Sequence, residues 1–165
     1  MLQRAADAAV PATLQIANPR VVARLQLNVS DTQLVHTSAG PVWVVPGAKG
    51  ACILAGQMTA TAAPVLGENS TGCGLAAGIL SGGMVVGGGD GSGASRIFGL
   101  VPNGTTHVTL TSATGRQQEI PVLSNVFLAT MPTSAAVTVT FQNASGRTVS
   151  ARRLGFTGLR AGFRR

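Results

Sequence analysis

Six residues, Gly89-Asp90-Gly91-Ser92-Gly93-Ala94, have the spacing of a Gly-x-Gly-x-x-Ala loop, whose glycines let backbone amides approach a pyrophosphate at a helix N-terminus. That chemistry needs a strand before the loop and a helix after it. No helical pattern follows Ala94 and no βαβ unit surrounds it, so the stretch reads as a solvated linker. Asp90 alone is a poor calcium ligand, because calcium takes about six or more oxygens. Zinc would have to draw on Cys52, Cys73, His36 and His107, which show none of the close pairing of structural zinc sites. Both histidines lie in alternating segments beside valines and read as sheet-surface or core-edge residues. Hydroxyl nucleophiles abound, yet no Gly-x-Ser-x-Gly elbow links a strand to a helix. The acids Asp7, Asp31, Glu68, Asp90 and Glu119 are scattered singly, so no glycosidase-type carboxylate pair is visible. The residues therefore argue against an enzyme and name no catalytic, cofactor-binding or metal-binding group.

Charge and sulfur carry more. The chain of 165 residues has a formal net charge of +7, and Arg152, Arg153, Arg160, Arg164 and Arg165 crowd its last stretch. These five are the candidate contacts for an anionic or protein partner. Nucleic acid is the less expected partner. Cys52 and Cys73 are the two cysteines, 21 positions apart. In a chain of this composition they suggest one disulfide in an oxidising compartment, with two buried free thiols as the alternative. Met1 to Val10 lacks a continuous apolar run, so export would require a targeting segment outside this chain.

What must position these residues is a β framework. Hydrophobic residues make up 45% and charged residues 10%, a composition unlike that of a helical bundle or a disordered chain. Leu2, Ala5, Ala6, Ala9 and Val10 fall at helical spacing, and Asn18-Pro19 reads as an N-cap and first residue of a short helix to about Leu27. Strands are then expected at 33–37, 41–45 and 51–55, followed by a loop over 57–67. The uncharged stretch 69–89 carries too many glycines for a membrane span, so two short strands, or a strand and a turn, are expected there, at about Leu75–Leu80 and Met84–Val86, with a loop over 87–95. Further strands are predicted at 97–101, 106–112, 118–123, 126–130, 136–141 and 147–152, with turns at Pro102-Asn103-Gly104, Thr114-Gly115, Ser124-Asn125, Met131-Pro132 and Ser145-Gly146. Twice an alternating Val/Thr strand runs into a Gly-Arg turn, at Gly115-Arg116 and Gly146-Arg147. Alternation puts Val108, Leu110, Val137, Val139 and Phe141 on core faces, and Thr109, Thr111, Thr138 and Thr140 toward water. Trp43 precedes both cysteines, so it reads as a core residue and not as the tryptophan of an immunoglobulin domain. The expected fold is mainly β, an antiparallel sandwich or barrel-like domain with short N-terminal helices. Residues 1–29 form the helical segment, 30–150 the β-rich domain and 151–165 a basic Arg/Phe tail.

The order Asn18-Pro19, Val42-Trp43-Val44-Val45-Pro46-Gly47, Gly50-Ala51-Cys52, Gly72-Cys73, Phe98-Gly99-Leu100-Val101-Pro102-Asn103-Gly104, Asn125-Val126-Phe127 and Ala144-Ser145-Gly146-Arg147 resembles that of uncharacterised extracytoplasmic domains, secreted or membrane-anchored, of high-GC Gram-positive bacteria. Asn103 stands where aspartate is commoner. The resemblance implies an exported protein with a Cys52–Cys73 disulfide, freely secreted or tethered by a membrane segment outside this chain, and it supplies no activity.

The expected function is thus a non-catalytic binding or structural domain of the cell envelope, partnered by a protein or an anionic envelope polymer. The alternative is an assembly subunit of a virion, filament or shell, oligomeric through exchanged terminal arms. A hydrolase built from scattered residues ranks below both.

Overall fold

A computed structural model describes residues 19–55, 71–89, 94–132 and 136–155. The expected helix over Leu2–Val10, the loop over 57–67 and the residues Arg160, Arg164 and Arg165 lie outside these.

Helix α1 (Pro19–Leu25) begins at the proline and stops two residues short of the predicted end. The first sheet follows, with β1 (Gln33–Thr37), β2 (Gly40–Pro46), β3 (Gly50–Ala55) and β4 (Thr71–Leu75) paired antiparallel in that order. Helix α2 (Ala76–Gly82) leads into β5 (Met84–Gly89) and β6 (Ala94–Leu100). Then come β7 (His107–Ser112), β8 (Gln117–Pro121), β9 (Val126–Pro132), β10 (Ala136–Gln142) and β11 (Thr148–Gly155). Strands β5-β6-β9 form a second sheet and β11-β10-β7-β8 a third. The fold is mainly β, a sandwich of antiparallel sheets, as the residue pattern predicts.

Side-chain alternation stacks the sheets in layers. The three-stranded sheet lies in the middle. Phe98, Leu100, Val126 and Leu128 pack from it onto Val35, Val42, Ile53 and Ala55 of the first sheet. From its other face Ile97, Phe127, Ala129 and Met131 pack onto Val108, Leu110, Ile120, Val137, Val139 and Phe141 of the third sheet. A strand buried on both faces reads as a continuous apolar run, which is why Val126–Met131 hardly alternates in polarity. The outer face of the first sheet carries Trp43, Val45, Cys52 and Leu54, covered by Leu25 and Val21 of α1. Trp43 is a core residue as expected, but it lies under the helix and not between two sheets.

Three local expectations are corrected. Leu75–Leu80 is not a strand: α2 forms from Ala76, where Ala76, Ala77 and Leu80 favour helix against Gly78 and Gly82 and Ile79 turns inward against the core. Gly87–Ser95 is not a loop at its ends, since Gly87, Gly88 and Gly89 pair with Ile97, Arg96 and Ser95. The partner strand supplies the ladder that glycine's own propensity does not favour. Met131-Pro132 is no turn but the end of β9, paired with Ser95 and Ala94. Strand β11 also runs on to Gly155, so residues 151–155 extend the third sheet. Among the described residues no helix is long and apolar enough to cross a membrane.

The twin Gly-Arg turns have one geometry. The amides of Ser112 and Asn143 donate to the carbonyls of Arg116 and Arg147 at 2.9 and 3.0 Å, and the Gly115 and Gly146 amides return to Ser112 and Asn143, both at 2.9 Å. Gly115 and Gly146 have φ of +81° and +78°, the left-handed residue of a three-residue hairpin loop. Alanine at either position is expected to cost about 1–2 kcal/mol, because a Cβ is disfavoured at that φ. A lower denaturant midpoint with unchanged slope would show it.

Candidate functional site

The outer face of the third sheet is where the layers stop. With Val108, Leu110, Val137, Val139 and Phe141 turned inward, His107, Thr109, Thr111, Thr138, Thr140 and Gln142 face outward. Register sets Thr109 opposite Thr140 and Thr111 opposite Thr138, so four threonines form the centre of the face. Glu119 of β8 lies beside Thr109, and Arg153 of β11 beside Thr138. Strands β7 and β10 run antiparallel, so the two Gly-Arg turns sit at opposite ends of the sheet.

At one end the face is hollowed into an open groove of about 370 Å³, lined by His107, Thr109, Glu119, Gln142, Ala144 and Gly146. Its polar groups are held by one another and by a neighbouring threonine. Thr109 Oγ1 donates to Gln142 Oε1 at 2.8 Å, and the Gln142 amide nitrogen donates weakly to the Gly146 carbonyl at 3.4 Å. Thr106 Oγ1 bonds His107 Nδ1 at 2.8 Å, which leaves Nε2 facing Glu119 Oε1 across 3.7 Å. That separation exceeds a hydrogen bond. With the two side chains 48% and 70% exposed, solvent screens the pair and it contributes little stability. Among the described residues no cluster of three or more His, Cys, Asp or Glu could hold a metal ion.

The residues singled out from sequence do not gather in one place. Cys52 and Cys73 stand directly opposite each other on β3 and β4 and are joined as a disulfide, with Cα atoms 4.1 Å apart. Arg152 and Arg153, adjacent in β11, go to opposite faces. Arg152 Nε donates to the Gly82 carbonyl at the end of α2 at 3.2 Å, so its guanidinium serves the fold, while Arg153 is exposed on the outer face. His36 is exposed on β1, and His107 lines the groove with an acid and not with a cysteine.

The groove itself is missed by sequence reasoning. The β7–β8 hairpin is centred on Thr114, one position before its left-handed glycine, and that register places Thr109 opposite Glu119. Gln142 arrives only through the pairing of β7 with β10, which no local pattern specifies. No family model matches the chain, and no curated protein or solved structure matches it either.

Proposed function

We propose that this chain is a non-catalytic extracytoplasmic domain that holds an anionic polymer of the cell envelope on the outer face of its third sheet. The observation that carries this reading is that face: every other sheet face described packs against a sheet or helix, whereas this one presents hydroxyls, amides and an exposed arginine. The described residues hold eight Arg and Lys side chains against the two carboxylates of Asp31 and Glu119. Arg116 and Arg147 are exposed on the two turns and Arg153 on the face between them, a layout that favours a long anion over a compact one. The Cys52–Cys73 disulfide fits an oxidising, extracytoplasmic compartment.

Retention on immobilised polygalacturonate, followed across a salt gradient, tests the reading. The chain is expected to bind at low salt and to elute as screening shortens the range of its charges. The double variant Arg147→Glu, Arg153→Glu is expected to bind about 10-fold more weakly, as two attractive contacts become repulsive. Equal retention of the variant and the parent would refute the proposed face.

A further inference from the structure

We infer that the groove lined by His107, Thr109, Glu119, Gln142, Ala144 and Gly146 is a saccharide subsite that takes one sugar ring of a glycan and binds it through a vicinal diol. The inference rests on the polymer reading above and assigns the neutral, hydroxylated part of that polymer to the groove, leaving its charges to Arg147 and Arg153.

The case begins with what the groove lacks. Its apolar surface is small, the methyl groups of Thr109 and Ala144 beside the single imidazole ring of His107, so it offers no pocket for the aromatic or aliphatic anchor of a protein partner. What it has are polar groups with capacity to spare. The 3.7 Å gap between His107 Nε2 and Glu119 Oε1 is too long for a direct hydrogen bond but suits a hydroxyl that touches both. Ionised Glu119 only accepts, and its two oxygens can take the protons of two neighbouring hydroxyls. Gln142 is oriented by the Thr109 hydroxyl on its Oε1, and its amide is held only by a 3.4 Å bond to Gly146, so it keeps a donor for a ring or hydroxyl oxygen. Acceptors on one wall and a donor on the other match a polyol, whose hydroxyls both give and take.

Size and openness agree. A groove of about 370 Å³ is at the small end of ligand sites, which run from roughly 300 to 1,000 Å³. An open groove lets a ring enter while its chain continues past both ends. Glu119 makes the groove unwelcoming to an anionic group, which separates the roles: hydroxyls in the groove, carboxylates or phosphates at the arginines. A single ring held by a few solvent-exposed hydrogen bonds should bind weakly, with Kd on the order of 1 mM, and useful affinity would come from repeated contact along a polymer.

The test is an amide NMR titration of the oxidised full chain with the methyl glycosides of glucose, galactose, mannose and N-acetylglucosamine and with galacturonate, each to roughly 50 mM. At least one sugar is expected to give saturating shifts concentrated at His107, Thr109, Glu119, Gln142, Ala144 and Gly146. Glu119→Gln and Gln142→Ala should each weaken that binding about 10-fold, while Thr111→Ala, on the same face outside the groove, should leave it unchanged. Well-dispersed spectra of the variants establish that they fold. Absence of saturating shifts with every sugar, or shifts indifferent to Glu119→Gln and Gln142→Ala, overturns the subsite. If the chain is retained on polygalacturonate but ignores the sugars, the subsite falls and the polymer reading stands. If it binds a sugar through the groove but is not retained, the subsite stands and the polymer reading falls.

Discussion

Replacing both cysteines, Cys52→Ala with Cys73→Ala, is expected to lower stability by about 3 kcal/mol, the loop-closure value for a bridge spanning 21 residues. In a chain of this size that corresponds to a fall in Tm of about 6–12 °C. The loss should not be spread evenly. Strand β4 is an edge strand with the sequence Thr-Gly-Cys-Gly-Leu, and its two glycines contribute neither strand propensity nor side-chain packing. The bridge fastens it to β3 at the middle of its five residues. Strand β4 continues into α2, which lies against β3, β4 and β11, and the Gly82 carbonyl at the end of α2 accepts bonds from Ser150 Oγ and Arg152 Nε, both at 3.2 Å. The disulfide therefore secures a connection that reaches from the first sheet to the third. Hydrogen exchange in the double variant should rise first in β4 and α2, then in β11, with the middle sheet still protected. Denaturant unfolding of parent and double variant gives the magnitude, and a loss below about 1 kcal/mol would mean that the backbone ladder and apolar contacts hold β4 without the bridge.

The parts of this fold legible in the residues are those whose cause is local. The two hairpins β7–β8 and β10–β11 announce themselves because alternation and a left-handed glycine lie within one short stretch. Ser124 and Asn125, with φ of +50° and +63°, likewise form a tight turn that Asn and Ser tolerate, and it carries the chain from the third sheet into the second. The middle sheet hides from local pattern for two opposite reasons. Strand β9 is buried on both faces, so its polarity does not alternate, and its Met131-Pro132 end resembles a turn. Strand β5 ends in three glycines that become strand only because β6 is there to pair with them. Helix α2 hides in a glycine-interrupted apolar run where short strand and short helix look alike until Ile79 finds the core. The same division governs the candidate site. The threonine face follows from alternation alone, but the Thr109–Gln142 bond joins residues 33 positions apart, and that register belongs to the packed sheet. Arg152 and Arg153 look equivalent as neighbours, and the strand's period of two then gives one to α2 and the other to solvent.

That register can be put to a direct test through Phe141 and its neighbour. Phe141→Ala is expected to cost about 3–5 kcal/mol, whereas Thr140→Ala, one residue away, should cost less than about 1 kcal/mol. Phe141 is fully buried between the middle and third sheets, edge-on to Phe127 with ring centroids 6.0 Å apart and planes inclined by 70°. Removing its ring leaves a cavity that two stiff sheets cannot easily close. The ladder to β11 is also irregular between Phe141 and Gln142, so the ring anchors the step at which β10 delivers Gln142 to the groove. Phe141→Ala should therefore weaken any groove ligand as well, while Phe141→Leu, which refills most of the space, should retain more of both stability and binding. Thr140 is on the outer face, where truncation removes little buried area. A slip of one residue in β10 would exchange the two faces entirely. If denaturant midpoints showed Thr140→Ala to be the costlier change, the threonine face would be core and the groove would lose the strand that forms its wall. A large asymmetry in favour of Phe141 fixes which side of the sheet meets solvent, and with it the only surface on which His107, Glu119 and Gln142 can act together.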